Sequence, residues 1–114
     1  MKEKDLGVTR ATPPRHPEHI TIQSRLKSFE LWPPSMKQTP DMLAEAGFFY
    51  KEVGDRVICF QCGGGLHTWG NEDDPWEEHA KWFPNCSYLI LKKGIQFTES
   101  VKKQEVYLSI LLLP

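Results

Sequence analysis

The stretch 59-CFQCGGGLHTWGNEDDPWEEHAKWFPNC-86 decides the fold of this chain. It contains all three cysteines, which are spaced as Cys59-x2-Cys62-x16-His79-x6-Cys86 when His79 is taken as a fourth donor. Three thiolates and one neutral imidazole are the donors of a closed tetrahedral zinc site, which leaves no open position for water. The pattern therefore predicts one structural zinc ion and no catalytic metal.

The identity of the fourth donor is not fixed by spacing alone. His67 follows Cys62 at the spacing of a zinc knuckle, but that motif would also need a cysteine where this chain has Glu72. His79 is favoured because it shares a predicted helical segment with Cys86, so that the segment and the Cys-x2-Cys turn can close on one ion. The alternatives left open at this point are His16, His19 and His67.

Length and composition limit the function classes. A chain of 114 residues predicts one domain, and a formal net charge of -1 gives no overall attraction to nucleic acid or to an anionic membrane. Three cysteines cannot all pair as disulfides, so we expect a reducing compartment and a cytoplasmic protein. No apolar run approaches the roughly 18 residues of a membrane span, and no signal-peptide core is visible.

Enzymatic chemistry is not expected from this cysteine pattern. A zinc deaminase also uses one histidine and two cysteines, but it needs His-x-Glu upstream of Pro-Cys-x-x-Cys. Here the Cys-x2-Cys pair comes first, and Cys86 would fill the position that a reactive water must occupy.

The patterns of apolar, capping and turn residues predict short helices around a small sheet. They leave open whether Arg25, beside the apolar face of the first helix, is solvated or makes buried hydrogen bonds. The predicted elements are a helix over 18–32, a helix capped by Thr39 and stopped by Gly47, a hairpin of strands 48–50 and 56–60, a strand over 66–69, a helix capped by Asp74, a helix over 87–93 and a last helix containing Phe97, Val101 and Tyr107.

Four segments give the chain a specific resemblance: EAGFFY (45–50), GDRV (54–57), CFQCGGGL (59–66) and DPWEEHAKWFPNC (74–86). On these segments it resembles a BIR domain, the baculoviral repeat of inhibitor-of-apoptosis proteins, and most of all the second repeat of insect and baculoviral members. The resemblance implies an α+β fold with a zinc centre, in which a three-stranded antiparallel sheet is surrounded by four to five short helices. It also implies that His79 is the fourth zinc ligand.

The resemblance further implies a peptide-binding groove beside the third strand. Related domains hold free N-termini that begin Ala-x-Pro or Ala-x-Ala, as found on processed caspases and on pro-apoptotic antagonists. An extended peptide can add to the edge strand, where we expect unpaired groups on Leu66, His67 and Thr68. The complete set of implied groove residues is Gly65, Leu66, His67, Thr68, Trp69, Asp73, Glu78, Trp82 and Phe83.

The resemblance gives most of these residues a separate role. Asp73 and Glu78 would receive the peptide's ammonium, and Trp69 with Leu66 would wall a pocket for the alanine methyl group. Trp82 would offer a flat face to a proline ring, Phe83 would lie near the fourth residue, and Gly65 would leave room for the peptide backbone. Trp76 is assigned to the core. Two positions depart from the family's usual residues, since Thr68 often corresponds to aspartate and Glu78 to glutamine.

The expected organisation is a flexible arm at 1–15, the BIR zinc domain at 16–103 and a C-terminal extension with helical potential at 104–114. Two other classes remain: a structural protein-interaction module whose groove holds something other than a free N-terminus, and a nucleic-acid-binding zinc module. The second is disfavoured because no basic stripe with interleaved aromatic residues is visible. No partner among nucleic acids or membranes is expected, and the chain shows no second cysteine cluster of the RING type.

Overall fold

A three-stranded antiparallel sheet lies at the centre of the chain in the computed structural model, which describes residues 12–112. Short helices surround the sheet, so the α+β class and the three-stranded sheet are confirmed. In chain order the elements are a 3₁₀ turn (Pro17–His19), α1 (Ile22–Lys27), α2 (Pro40–Glu45), β1 (Phe48–Tyr50), β2 (Val57–Cys59), β3 (Gly65–Leu66), α3 (Pro75–Trp82), α4 (Ser87–Lys93) and α5 (Ile95–Leu111).

The strands are arranged in the order β1-β2-β3, so β3 is an edge strand. Phe48 is paired with Cys59 across the first ladder, and Val57 is paired with Leu66 across the second. The fully buried side chains of the sheet pack with those of α2 and α4 to form the core. Its largest completely enclosed apolar members are Leu43, Phe48, Val57 and Leu89.

Capping residues set the helix starts as the sequence predicts. The Thr39 hydroxyl accepts a hydrogen bond from the Met42 amide at 3.2 Å, and the Asp74 carboxylate accepts one from Trp76 at 2.9 Å. Gly47, at φ +101°, then turns the chain out of α2 into β1, a conformation that costs other residues free energy. A Cβ at Gly47 would also lie 3.0 Å from the Tyr88 ring.

The predicted helix over 18–32 is wrong in its extent, because α1 covers only Ile22–Lys27. Thr21 caps this helix from within the predicted range by accepting the Ser24 amide. The Ser28 hydroxyl then accepts the Tyr50 amide of β1 at 2.8 Å, so a contact with the sheet ends the helix early.

The predicted third strand, 66–69, is also shorter than expected, because β3 is Gly65–Leu66. The Asp55 carboxylate accepts the amide protons of Thr68 and Trp69 at 2.9 and 2.8 Å, and Thr68 has φ +61°. A residue with positive φ leaves strand geometry. The expectation that the Thr68 amide is unpaired is therefore wrong.

Helix α5 packs against α3 and α4 through its first half, in which Thr98 and Val101 are buried. It continues through residue 103 without a break, so the helical part of the predicted extension belongs to the same element. No helix among residues 12–112 is long and apolar enough to cross a membrane. The first 11 residues of the predicted arm and the last two of the extension lie outside the described residues.

Candidate zinc centre and adjoining groove

Four parts of the fold bring the predicted zinc donors together. Cys59 ends β2, Cys62 lies in the turn that follows, His79 projects from α3 and Cys86 precedes α4. Their donor atoms all lie within 4.8 Å of one another. The Cys59 and Cys86 sulfurs are 3.8 Å apart, as are the Cys62 sulfur and His79 Nε2. A tetrahedron with Zn–S bonds of about 2.3 Å has edges of about 3.8 Å, so the spacing fits one zinc ion.

The orientation of His79 supports metal binding. The residue is completely buried, and its Nδ1 lies 2.9 Å from the Ala46 carbonyl oxygen. When Nδ1 donates its proton to that carbonyl, the lone pair of Nε2 points into the cluster of sulfurs. The carbonyl thus selects the tautomer that a metal requires.

The crowding of the three cysteines also calls for a cation. Side-chain hydrogen bonds with Cys62 and Cys86, together with burial, raise the pKa of the Cys59 thiol far above its ordinary value. Three thiolates packed this closely would repel one another unless a dication neutralised them. The group therefore fits one structural zinc ion, and its four protein donors leave no place for a reactive water.

The other histidines are kept apart from this cluster. His67 is exposed, and its Nδ1 lies 2.8 Å from the Thr68 hydroxyl. His16 and His19 pack against the Phe49 ring, with ring centroids 5.1 and 4.0 Å away. The structure assembles a Cys3His group with His79 only, among the residues it describes.

A chain segment that the sequence assigns partly to an arm covers the zinc turn. The Arg15 amide donates to the Gln61 carbonyl at 3.1 Å, and the Gln61 side chain donates to the Thr12 carbonyl at 2.8 Å. The aliphatic part of Arg15 lies against Gly63, which has φ +75°. Nothing in the local sequence of this segment marks the contact, since it depends on the position of the turn in space.

A cavity of about 230 Å³ opens beside β3 and α3. It joins the edge of the sheet to the exposed side of the helix. All of the predicted groove residues line it except Gly65 and Phe83, and Lys81 lines it in addition. The lining consists of Leu66, His67, Thr68, Trp69, Asp73, Glu78, Lys81 and Trp82.

Gly65 and Phe83 are the two predicted groove residues that do not line the cavity. Gly65 is an exposed residue of β3 that pairs with Ile58, and a Cβ there would meet the Val57 carbonyl oxygen at 3.6 Å, an ordinary contact. Phe83 packs on Gly64 so closely that a Cβ at Gly64 would lie 2.6 Å from its ring atoms. Phe83 therefore covers the zinc turn, and its ring does not line the cavity.

Two carboxylates give the cavity its charge. Burial, followed by repulsion from Asp73, raises the pKa of Glu78 above its ordinary value. One oxygen of Glu78 accepts a hydrogen bond from the Trp82 indole at 3.3 Å, and an oxygen of Asp73 accepts the Gly70 amide at 2.7 Å. A cationic guest would relieve the repulsion that Asp73 exerts on Glu78, so the cavity favours a cation.

The loop that carries Asp73 is held by hydrogen bonds from Gln38, a residue that no sequence pattern singles out. Gln38 is buried, and its side-chain amide donates to the carbonyl oxygens of Gly70 and Asp73 at 2.7 and 2.9 Å. The Trp32 indole in turn donates to the Gln38 carbonyl at 2.8 Å. The acidic loop is therefore positioned by the core and not by its own sequence.

The three tryptophans near the cavity differ in exposure and in contacts. Trp82 remains 58% exposed and lines the cavity. Trp69 also lines the cavity, and its ring makes an edge-to-face contact with the Phe48 ring, with 6.2 Å between the ring centroids. Trp76 stacks on the His79 ring with a centroid distance of 6.3 Å and packs against the core. The exposed indole of Trp82 gives the cavity a flat apolar wall.

Comparison with known proteins gives one consistent family. A family model described as "BIR: Inhibitor of Apoptosis domain" matches residues 25–90. The chain is 47% identical over 96 residues to "E3 ubiquitin-protein ligase IAP-3" of Orgyia pseudotsugata multicapsid polyhedrosis virus, covering 81% of this chain and 36% of that protein. It is 42% identical over 97 residues to "Death-associated inhibitor of apoptosis 2" of Drosophila melanogaster, covering 85% of this chain and 20% of that protein.

Solved structures agree with the sequence comparisons. A crystal structure of DIAP1 BIR1 bound to a Grim peptide superposes with a TM-score of 0.54 and 40% identity, over 57% of this chain and 66% of that one. The structure of an autoinhibited dIAP1-BIR1 domain superposes with a TM-score of 0.56 and 39% identity, over 59% of this chain and 68% of that one. The chain spans little more than a third, or less, of the length of the two curated relatives, at 36% and 20%.

Proposed function

The chain belongs to the BIR family of inhibitor-of-apoptosis domains, and on that premise we propose that it captures free N-terminal peptides of the type Ala-x-Pro or Ala-x-Ala. The acidic cavity between an edge strand and an exposed tryptophan carries this proposal. Its ligands would be the N-termini of pro-apoptotic antagonists and of processed caspases, and their capture would inhibit apoptosis. The related domain crystallised with a Grim peptide supports the antagonist class.

The free ammonium of the peptide is the feature that Asp73 and Glu78 would recognise. Both carboxylates line the same cavity, and each is oriented by a hydrogen bond. At a distance of about 4 Å and an effective dielectric constant near 20, one ammonium–carboxylate pair is worth roughly 4 kcal/mol before desolvation costs. These costs offset much of the gain, so the carboxylates act mainly on selectivity.

The peptide backbone would add to β3 as a further strand. The strand forms the edge of the sheet, and Leu66 presents its side chain to the cavity. The absence of a side chain on Gly65 leaves that edge open to an approaching backbone. Because Asp55 already binds the Thr68 amide, the docking strand would pair with residues 65–67 and would not extend to that amide.

The apolar walls would select the first and third residues of the peptide. Trp69 and Leu66 line the cavity and would wall the space for an alanine methyl group, and Trp82 would offer its exposed face to a proline ring. Phe83 stays a proposed neighbour of the fourth residue, reached from the Gly64 side. His67 and Thr68 also line the cavity and would contact the bound peptide.

We propose a binding role and not a catalytic one for this domain. The zinc ion would be enclosed by four protein donors, which leaves it no position for a substrate or a reactive water. The ligase activity in the name of the viral relative describes that longer protein, of which the chain spans 36%. A reducing location such as the cytoplasm suits three cysteines that act as thiolate ligands.

Blocking the ammonium of the peptide should weaken binding by at least about tenfold, which corresponds to about 1.4 kcal/mol. Acetylation removes the charge that Asp73 and Glu78 would recognise and adds an acetyl group where the ammonium would lie. Fluorescence anisotropy with a C-terminally labelled Ala-Ala-Pro-Ala peptide and its N-acetylated twin measures the difference. Equal affinity of the two peptides would refute the groove as a site for free N-termini.

Asp73→Asn and Trp82→Ala should each weaken binding of the free peptide by about 1 to 2 kcal/mol. Both should leave the melting temperature of the domain nearly unchanged. Asparagine keeps the shape and the hydrogen bond from Gly70 but loses the charge, and the Trp82 ring is mostly exposed. Glu72→Gln is the matched control, because it removes one negative charge from the same loop outside the cavity lining. Identical losses for Asp73→Asn and Glu72→Gln would mean that only the overall charge matters.

A further inference from the structure

Lys81 places a second ammonium group at the cavity that we assign to the peptide's ammonium. It lines the cavity together with Asp73 and Glu78, and it projects from the turn of α3 that follows Glu78. A lysine side chain is long and flexible, with three donors on a compact charge. Within this cavity its ammonium is chemically the same kind of group as the N-terminus of a peptide.

The structure keeps the Lys81 ammonium away from those carboxylates by a contact with another helix. Lys81 Nζ lies 3.4 Å from a carboxylate oxygen of Glu105 on α5 and 5.4 Å from the centroid of the Trp82 ring. Lys81 and Glu105 both line a second cavity, of about 280 Å³, between α3 and α5, and Trp82 lines both cavities. Lys81 therefore contributes to the walls of both cavities, and Glu105 binds its charged end on the α5 side.

The charges of the two cavities act on each other. The pKa of Glu78 is raised first by burial and by Asp73, but Lys81 lowers it and Glu105 raises it. Glu105 thus lies close enough to the peptide cavity to affect a carboxylate that lines it, although its own helix is remote in sequence. It also lies in the segment after residue 103 that the sequence places outside the domain.

We propose that Glu105 is a positioning residue that increases the groove's selectivity for a free N-terminus by binding Lys81, which otherwise competes with the peptide ammonium for Asp73 and Glu78. This inference rests on the proposed function and adds the C-terminal helix to it. Without Glu105, Lys81 loses its partner on α5 and turns to the two carboxylates. Incoming peptide must then displace a tethered cation, and affinity falls.

The arrangement also explains how a lysine can be present in an acidic pocket without cancelling it. A lysine paired with Glu105 neutralises that glutamate and leaves both groove carboxylates available. The Lys81–Glu105 contact is partly exposed, with side-chain exposures of 33% and 45%, so its effect on affinity is modest and sensitive to salt.

The test is a double-mutant cycle on the full chain, with the free and acetylated Ala-Ala-Pro-Ala peptides as probes. Glu105→Gln should raise the Kd of the free peptide about two- to fivefold, the range expected for a partly exposed ion pair. Lys81→Met should lower that Kd, and adding Glu105→Gln to Lys81→Met should change it by less than about 1.5-fold, because the competitor is gone. The affinity of the acetylated peptide should change little in any variant.

Glu99→Gln is the matched control, since it removes the same charge from an exposed position of α5 that lines neither of these cavities. The Glu99→Gln variant should bind the free peptide with the same Kd as the unaltered chain. If Glu105 had a merely structural role, Glu105→Gln would lower the affinity equally with and without Lys81→Met. A loss of affinity that disappears when Lys81→Met is also present therefore excludes a merely structural role.

The outcomes separate the two proposals. If the unaltered chain binds the free and acetylated peptides equally, the proposed function fails, and this inference fails with it. If the unaltered chain prefers the free peptide, the inference alone is overturned by either of two results. One is that Glu105→Gln matches Glu99→Gln, and the other is that Glu105→Gln weakens binding to the same extent with and without Lys81→Met.

Discussion

Removal of the zinc ion should unfold the domain. Structural zinc contributes on the order of 10–16 kcal/mol of apparent binding free energy, whereas a small domain has only about 5–15 kcal/mol of net stability. An ion held by Cys59, Cys62, His79 and Cys86 would join the end of β2, the following turn, α3 and the start of α4, so its loss would separate four parts of the core at once. Chelation should therefore abolish the cooperative thermal transition in circular dichroism, and added zinc should restore it.

Variants of two histidines give a sharper form of this test. His79→Ala removes the buried donor and leaves the Ala46 carbonyl without its partner, so the variant should bind no zinc at pH 7 and should not fold. His67→Ala, at the exposed position that zinc-knuckle spacing would select, should retain one zinc ion and an unchanged melt. A cooperative melt that persists without bound zinc, or a metal loss caused by His67→Ala, would contradict the Cys3His assignment.

Lowering the pH should release the zinc for the same reason. The ligands bind as thiolates and neutral imidazole, and protons compete with the metal for these groups as the pH falls. The stability that zinc provides is thus present at neutral pH and is lost in acid.

Replacement of Arg25 by methionine should destabilise the domain by about 3 kcal/mol, because one buried and two partly buried carbonyl oxygens would lose their donor. Arg25 is 3% exposed, and its guanidinium donates to the carbonyl oxygens of Ala44 at 2.8 Å and of His19 and Ile20 at 3.0 Å. Methionine is also long and unbranched but cannot donate to any of them. Each kcal/mol corresponds to roughly 4–8 °C in the melting temperature of a domain of about this size.

The charge of Arg25 adds to this effect. The guanidinium lies 4.6 Å from the centroid of the Phe60 ring; burial lowers the pKa of Arg25, and the charges of Tyr88 and Cys59 oppose that shift. Three thiolates around one zinc ion would carry a net negative charge, so a buried cation that responds to the charge of Cys59 would stabilise the zinc centre. Arg25→Lys should recover only part of the loss, because an ammonium cannot match the planar fork of donors.

Lys27→Met is the matched control for Arg25→Met, since it removes one positive charge from the exposed side of the same helix. Thermal melts followed by circular dichroism should show a large decrease for Arg25→Met and almost none for Lys27→Met. If both variants melted at the temperature of the unaltered chain, the buried hydrogen bonds of Arg25 would not be stabilising.

Local signals predict those parts of the fold that depend on neighbouring residues. Thr39 and Asp74 accept backbone amides two or three positions later in the chain, so the sequence identifies them as caps without any knowledge of tertiary contacts. The end of α4 at Gly94, which has φ +86°, is also marked locally, whereas Cys86 makes no side-chain cap at the start of that helix. The early end of α1 has no local mark, because Ser28 bonds to Tyr50, 22 residues away.

In the groove, too, local sequence predicts some features and contacts between distant residues decide others. The spacing of Asp73, Glu78 and Trp82 can be read from one segment, and these residues do line one cavity. The shortening of β3 comes from Asp55, whose carboxylate reaches residues 13 and 14 positions later. The placement of Phe83 over Gly64 likewise depends on how α3 crosses the zinc turn. Contacts of this kind have no local pattern, so no window of sequence reveals them.

The sequence by itself determined the three cysteine donors and the family, because a metal site needs a few residue types at set spacings that survive in a linear chain, and the family resemblance implied His79 as the fourth donor. Only the tertiary structure decided which groups meet across elements: Arg25 with the Ala44 carbonyl, Gln38 with the acidic loop, and Glu105 with Lys81. The physical reason is that these contacts depend on how helices and strands pack in three dimensions. Packing joins residues that are distant along the chain, and their spacing in sequence carries no trace of the contact.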